Sequence, residues 1–180
     1  HLGGPPGIGP CYFAPGYEPE PLWIGGNGID SEWPKIPESG PGRFESGTPN
    51  LPGIAGLAKA LEYFDGHPVS ERFRNGNAQR QLWVEALQKI EGVEIPGEKG
   101  TSPRTPVIPL HVRGYAPEQL SAELDAQLGV RCRSGLQCAP LAHRYLGTLE
   151  AGGTLRIAPG EETGSEIIDP VCSALADLIR

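Results

Sequence analysis

The chain has 180 residues, of which 38% are hydrophobic and 21% charged, and its formal net charge is -7. This length and apolar content suffice for one ordinary domain or for part of a larger protein. The acidic balance argues against nucleic acid as a partner, because phosphate binding needs a basic face. No run of 18 apolar residues occurs, so we predict no membrane-spanning helix and no membrane partner.

The first third of the chain is rich in turn-forming residues. About half of its 26 glycines and 20 prolines fall in residues 1–56, which predicts an irregular segment. Large apolar residues are interspersed there, whereas disordered segments are poor in such residues. We therefore expect an ordered, loop-rich segment that packs against something else, not necessarily within this chain, with a strand over residues 10–14. The residues concerned are Tyr12, Phe13, Trp23, Ile24 and Trp33.

Two helices are predicted next. Apolar residues from Ile54 to Phe64 recur at helical spacing, after Asn50 as a cap and Pro52 in the first turn. A second helix covers about residues 69–90, interrupted by Gly76. Its predicted apolar stripe consists of Leu82, Trp83, Ala86, Leu87 and Ile90.

Strands and helices alternate beyond residue 91. We predict strands over residues 93–95, 105–112, 130–133 and 154–158, and helices over residues 116–128, 140–146 and 165–180. Pro106 and Pro109 argue that the second of these strands lies at an edge or is irregular. The alternation predicts a small α/β or α+β sandwich.

The four cysteines differ in their setting. Cys138 lies in the loop over residues 134–139, which favours an exposed nucleophile, and Arg133 and His143 add positive charge nearby. The alternative is a small buried hydrophobe, as most free cysteines are, and this fits Cys11, Cys132 and Cys172 better. We expect reduced thiols. The Cys132, Cys138 and His143 spacing does not match that of structural zinc sites, so no metal is predicted.

Two further residues are candidates for binding anions. Arg156 lies within a strand pattern, where it is a surface residue, an ion-pair member or a bidentate carboxylate binder. Thr48 belongs to a Gly-Thr-Pro-Asn turn before a helix, which suits a phosphate site or an ordinary helix cap at Asn50. The glycine-rich run at residues 3–9 is better explained as a tight turn.

Together, three blocks resemble the class V aminotransferase family, in its cysteine desulfurase and selenocysteine lyase branch. The blocks are residues 3–9, residues 44–57, and residues 133–141 with 153–156, in the family's order. The resemblance implies the C-terminal part of an α/β, fold-type I pyridoxal-phosphate-dependent transferase. Residues 1–65 would end the large domain and include the linking helix, and residues 66–180 would form the small α/β (α+β) domain.

The resemblance also implies site residues and partners. Cys138 matches the family's nucleophile, and Arg156 matches the arginine that holds the substrate carboxylate. Thr48 matches the threonine that reaches the cofactor phosphate of the neighbouring subunit, and Gly26 and Asn27 lie in a loop near that dimer site. The implied protein is a cytoplasmic homodimer with pyridoxal 5'-phosphate that acts on L-cysteine, passes sulfur to an acceptor protein and serves iron-sulfur cluster assembly.

The family holds its cofactor on a lysine that would fall at His1 or immediately before it. The lysines of this chain lie in other blocks, so we expect a C-terminal fragment that is inactive alone; they are Lys35, Lys59, Lys89 and Lys99. Two departures concern substrate details. Gln137 stands where histidine is common, and residues 160–163 replace a common asparagine-threonine pair.

Two alternatives of different class stay open. One is another enzyme on the same fold, such as a selenocysteine lyase, a cystine or other C–S lyase, or an epimerase-like relative; Cys138 favours the desulfurase, because relatives without that activity often lack the cysteine. The other is a non-enzymatic α/β module that carries persulfide or binds a partner, which the missing lysine favours. A generic domain without a site would leave the second and third blocks unexplained.

Overall fold

The structure, a computed structural model, describes residues 2–28, 32–99, 104–160 and 163–179. The chain forms two compact units, His1–Pro68 and Val69–Arg180. The predictions for His1 and for residues 161–162 fall outside the described residues. The assignment of residues 1–65 and 66–180 to parts of two domains stays a prediction. Among the described residues, no helix combines the length and the apolar character needed to cross a bilayer.

The described residues of the first unit are irregular apart from a 3-10 turn, Pro41–Arg43, and helix α1, Leu51–Asp65. The strand predicted over residues 10–14 is wrong, because no described segment of this unit offers it a strand ladder. Its large side chains also remain open to solvent: Tyr12 and Trp23 are each 81% exposed. Glycines bring the first residues close to α1, since a Cβ at Gly4 would lie 2.9 Å from Leu57 Cδ1.

Helix α1 begins where the sequence predicted. The side-chain Oδ1 of Asn50 accepts a hydrogen bond from the Gly53 backbone N–H at 3.0 Å. This bond satisfies one of the first-turn N–H groups that have no partner within a helix.

Replacing Asn50 with alanine is expected to weaken the first turn of α1 by about 1 kcal/mol, because the Gly53 N–H loses its acceptor. Native-state hydrogen exchange at the Gly53 amide measures this. Asn50→Asp retains an acceptor and serves as the matched control. Equal exchange rates in the alanine and aspartate variants would contradict the capping role.

The second unit is built on a three-stranded antiparallel sheet. Its strands are β1, Val93–Glu94; β2, Ile108–Val112; and β3, Leu155–Ile157, in the order β1-β2-β3. Of the two predicted alternatives, the edge position is wrong, because β2 is the central strand; the irregular position is confirmed, because β1 pairs only with His111 and Val112 and not with the Pro109 end.

The register explains how a central strand tolerates proline. Pro109 lies opposite Arg156, whose backbone N–H and C=O both bond to Arg133 on the far side. Pro109 and Arg156 are thus a non-hydrogen-bonded pair, and the Pro109 nitrogen faces the β1 side. Continuing the β1–β2 register places Pro96 opposite Pro109. Neither proline has an N–H to donate, so the pairing stops at Glu94.

Four helices accompany this sheet in the described part of the second unit. They are α2, Val69–Leu87; α3, Pro117–Leu128; α4, Pro140–Leu146; and α5, Ile168–Ile179, which follows a 3-10 turn at Ser165–Ile167. Helix α3 ends at Gly129 in the left-handed conformation, φ +65°, as the sequence predicted. The predicted strand over residues 130–133 is reduced to a single bridge between Arg133 and Arg156. The buried core consists of Trp83, Val84, Leu87, Ile108, Leu110, Val112, Leu120, Leu124, Leu155, Ile157, Ile168, Val171, Ala174 and Leu175.

The buried face of α2 differs from the predicted stripe. Leu82 is 49% exposed, whereas Arg80 is buried together with Trp83, Val84 and Leu87. These four residues follow the i, i+3, i+4, i+7 pattern of one helix face, and Leu82 lies off it.

Arg80 is buried because it forms an ion pair with Glu98. Its Nη1 donates to Glu98 Oε1 at 3.1 Å, and its Nη2 donates to Glu98 Oε2. Arg104 Nη1 lies 3.8 Å from the same carboxylate. The hydrogen bonds from Arg80 hold the pKa of Glu98 below its ordinary value, more than burial raises it.

Candidate functional site

Cys138 is exposed on a tight turn directly before α4. Gln137 and Cys138 both have left-handed backbone conformations, with φ of +52° and +61°. The Ala139 N–H donates to the Leu136 carbonyl at 2.9 Å and closes the turn. Two consecutive non-glycine residues in this region are uncommon and persist only where the surroundings fix them.

The loop over residues 134–139 is held against the chain that leads into β3. The Thr154 N–H donates to the Gly135 carbonyl at 3.2 Å, and the Gln137 side-chain amide donates to the Thr154 carbonyl at 2.9 Å. A side chain at Gly153 would overlap the Gly135 carbonyl, so only glycine permits this approach. The loop that carries Cys138 and the strand that carries Arg156 therefore form one connected structure.

Arg156 lies half-buried on β3, on the face opposite Leu155 and Ile157. It pairs with Arg133 through N–H···O bonds of 2.7 and 3.3 Å, and directly opposed side chains share a face of the sheet. Among the described residues, neither arginine forms an ion pair with a carboxylate, and Arg156 Nε is buried without a hydrogen-bond partner. Two cations on one face without an acidic partner suit an anion such as a carboxylate.

His143 is buried near the end of α4. Its ring is buried, and Nδ1 lies 2.8 Å from the Thr148 hydroxyl. The Thr148 N–H also donates to the His143 carbonyl at 2.9 Å. His143 thus closes the end of α4 onto the following turn.

The remaining cysteines divide by burial. Cys132 and Cys172 are half-buried, and desolvation raises the pKa of both thiols. Cys11 is exposed, which corrects the prediction of a buried structural residue, because its irregular segment surrounds it with no core. All four thiols are free, and the described residues hold no group of three potential metal ligands.

The predicted cofactor-binding residues meet in the first unit. The Gly47 N–H donates to the Gly26 carbonyl at 2.8 Å, which brings Gly26 and Asn27 beside Thr48. Asn27 Nδ2 donates to the Gly42 carbonyl at 3.1 Å and fixes the Gly-Gly-Asn turn. Gly26 and Asn27 also line a groove of about 1040 Å³, together with residues 24–25, 28 and 33–38 and Arg43.

These residues fit one side of a phosphate site. Thr48 is exposed and offers a hydroxyl. A Cβ at Gly26 would meet nothing within 4 Å, so an anion can approach the backbone there. The residue composition thus agrees with the role that the resemblance assigns to Thr48, Gly26 and Asn27, which stays a prediction.

Comparison with known proteins adds independent findings. The family model for aminotransferase class-V matches residues 2–169. A probable cysteine desulfurase from Methanothermobacter thermautotrophicus is 28% identical over 179 residues, which cover 97% of this chain and 44% of the relative. The apo structure of cysteine desulfurase from Thermococcus onnurineus NA1 matches with a TM-score of 0.75 and 27% identity, over 89% of this chain and 39% of that one.

A third comparison concerns the fold alone. The structure of a C-DES variant with glycine covalently linked to its PLP cofactor matches with a TM-score of 0.65 at 19% identity, over 87% of this chain and 38% of that one. The chain thus spans less than half the length of each of these proteins. The matches confirm the predicted α/β fold as a portion of a fold-type I PLP-dependent enzyme.

Proposed function

Since the chain belongs to the aminotransferase class-V family, we propose that it is part of a pyridoxal-phosphate-dependent cysteine desulfurase. The reaction converts L-cysteine into L-alanine and leaves the sulfur on Cys138 as a persulfide. One observation carries this proposal. The exposed thiol of Cys138 lies on a turn that is hydrogen-bonded to the segment before β3, and β3 carries Arg156, which has no ion-pair partner among the described residues.

Arg156 binds the substrate carboxylate in this proposal. Its guanidinium matches the two carboxylate oxygens, and partial burial strengthens the attraction. Arg133, directly opposite, adds a second positive charge on the same face. Together they hold the amino acid in one orientation relative to the thiol.

Cys138 accepts the sulfur. Its thiolate attacks the substrate sulfur, and an S–S bond forms as the substrate Cβ–S bond breaks. The electron pair of the broken bond stays with carbon, which gains a proton, so alanine leaves and one sulfur atom remains on Cys138. The exposed turn suits this role, because nucleophile and acceptor must both reach the same sulfur.

Thr48, Gly26 and Asn27 would contribute to holding the phosphate of pyridoxal 5'-phosphate from the neighbouring subunit of a homodimer. When bound, the cofactor supplies an electron sink for negative charge at the substrate α carbon. The resemblance assigns the cofactor lysine to none of the four lysines present, so we propose that the 180 residues alone are inactive. We also propose that the enzyme is cytoplasmic and that it delivers sulfur to an acceptor protein in iron-sulfur cluster assembly.

Replacing Arg156 with lysine is expected to raise the KM for L-cysteine about 10- to 100-fold, because lysine keeps the charge but loses the two-pronged hydrogen bonding. Alanine production by the cofactor-loaded enzyme measures this. Arg131→Lys, an exposed arginine nearby in the sequence, is the matched control and is expected to keep the wild-type KM. An unchanged KM in Arg156→Lys would refute the carboxylate role.

A further inference from the structure

We propose that Gln137 is a positioning residue that fixes Cys138 relative to Arg156, an inference that rests on the proposed sulfur transfer. The Gln137 side-chain Nε2 lies 2.9 Å from the Thr154 carbonyl, 3.3 Å from the Arg133 carbonyl and 3.4 Å from the Thr154 hydroxyl. Each contact leads to a residue that neighbours or pairs with the strand of Arg156.

The backbone around Cys138 needs such an anchor. Gln137 and Cys138 both adopt the left-handed conformation, which costs free energy for residues with a Cβ. Backbone hydrogen bonds of Gly135 and Ala139 hold the two ends of the loop. The Gln137 amide holds the residue directly before the thiol, between these two ends.

The Gln137 contact links the two protein groups proposed to contact the two ends of the substrate, Cys138 at the sulfur and Arg156 at the carboxylate. Thr154 precedes Arg156 by two residues on the same segment. In L-cysteine only three bonds separate the carboxylate carbon from the sulfur, so the two groups lie close together. A thiol that must reach this sulfur therefore depends on its position relative to the arginine that holds the carboxylate.

The hydrogen-bonding groups at this contact predict which side chains at residue 137 can replace the anchor. The partners of Nε2 include two backbone carbonyls, which only accept hydrogen bonds, so the side chain must be a donor. Glutamate has nearly the same shape but presents acceptors to those carbonyls. Glycine tolerates the left-handed backbone but removes the anchor. Histidine also tolerates this backbone and keeps a ring N–H.

The test compares Gln137→Glu, Gln137→Gly and Gln137→His in the complete, cofactor-loaded enzyme that includes these 180 residues. We expect kcat for alanine formation to fall at least about tenfold in the first two variants, with KM for L-cysteine within about twofold. Gln137→His is expected to retain kcat within about threefold. Gln119→Glu, an exposed glutamine on α3, is the matched control and is expected to keep wild-type kcat.

Two further measurements separate positioning from loss of structure. Alkylation of Cys138 by iodoacetamide is expected to stay within about twofold of wild type, because the thiol is exposed with or without the anchor; Cys11 serves as the internal reference. Hydrogen exchange at the Ala139 amide is expected to accelerate at least tenfold in Gln137→Gly, while exchange at the core amides of β2 stays unchanged.

Wild-type kcat in Gln137→Glu and Gln137→Gly would overturn the inference, as would a Gln137→His enzyme as slow as Gln137→Glu. Faster exchange throughout β2 would also overturn it, because the residue would then support the fold in general. A wild-type enzyme that forms no persulfide on Cys138 would refute the sulfur-transfer proposal itself. An enzyme that forms the persulfide at the same rate with every side chain tested at residue 137 would instead refute only the positioning role of Gln137.

Discussion

Replacing Cys138 with serine is expected to lower persulfide formation from L-cysteine by roughly a thousandfold or more, because the attacking group is removed. The half-buried thiols of Cys132 and Cys172 are poor substitutes, since desolvation raises their pKa and lowers the fraction present as thiolate. Mass spectrometry of the peptide that contains residue 138 measures the gain of one sulfur atom after a single exposure to substrate.

The matched control for this prediction is Cys11→Ser, since Cys11 is an exposed free thiol in the other unit. Persulfide formation on Cys138 is expected to be unchanged in that variant. The cofactor absorbance of Cys138→Ser is expected to equal that of wild type, because the residues proposed for the phosphate lie elsewhere. Sulfur transfer at the normal rate in Cys138→Ser would disprove the assignment.

Replacing Arg80 with alanine is expected to lower the free energy of unfolding by about 3–5 kcal/mol. Arg80 is 4% exposed, and the side chain of Glu98 is 18% exposed, so the variant leaves a largely buried carboxylate without its main partner. Arg104, 3.8 Å away, compensates in part and places the expected loss near the lower value. Urea unfolding measures the difference.

A surface ion pair provides the control. Arg113 Nη2 lies 3.2 Å from Glu94 Oε1, but these side chains are 82% and 56% exposed. Arg113→Ala is therefore expected to cost less than about 1 kcal/mol. Equal losses in Arg80→Ala and Arg113→Ala would contradict the importance of burial for the Arg80–Glu98 pair.

The stability difference at Arg80 also has a predicted pH dependence. The folded protein holds the pKa of Glu98 below 4.5, its ordinary value, so the pair contributes its full stability above that pH. The contribution is lost as the pH falls through the lowered folded-state pKa. The difference in the free energy of unfolding between wild type and Arg80→Ala is therefore expected to become smaller below pH 4.5.

Local signals predicted the helices well. Asn50 marks the start of α1, Pro117 marks the start of α3 and Gly129 marks its end, because caps and prolines act within one turn of the chain. The strand order was not predictable in this way. Pro109 suggested an edge or irregular strand, and only pairing with distant residues shows that its nitrogen faces the side where β1 has ended.

In the candidate site, too, local features could be predicted from the sequence, whereas contacts between distant residues could not. The exposure of Cys138 followed from a loop that precedes a proline-initiated helix. The left-handed turn and its anchor did not, because the Gln137 amide bonds to Thr154, 17 residues away. Arg80 was missed because a charged residue on the buried side of a helix is visible only once Glu98 is placed beside it.

The two prolines at the end of the β1–β2 pairing also affect the tendency of the protein to aggregate. An open sheet edge invites strands of other chains, and proteins guard against such association by removing amide donors. On the β1 side, the donor row of β2 is interrupted at Pro109, and a continuation of β1 reaches Pro96 after one residue, Ile95. Edge-to-edge aggregation through this side of the sheet is therefore disfavoured, without cost to the buried strand face that holds the core.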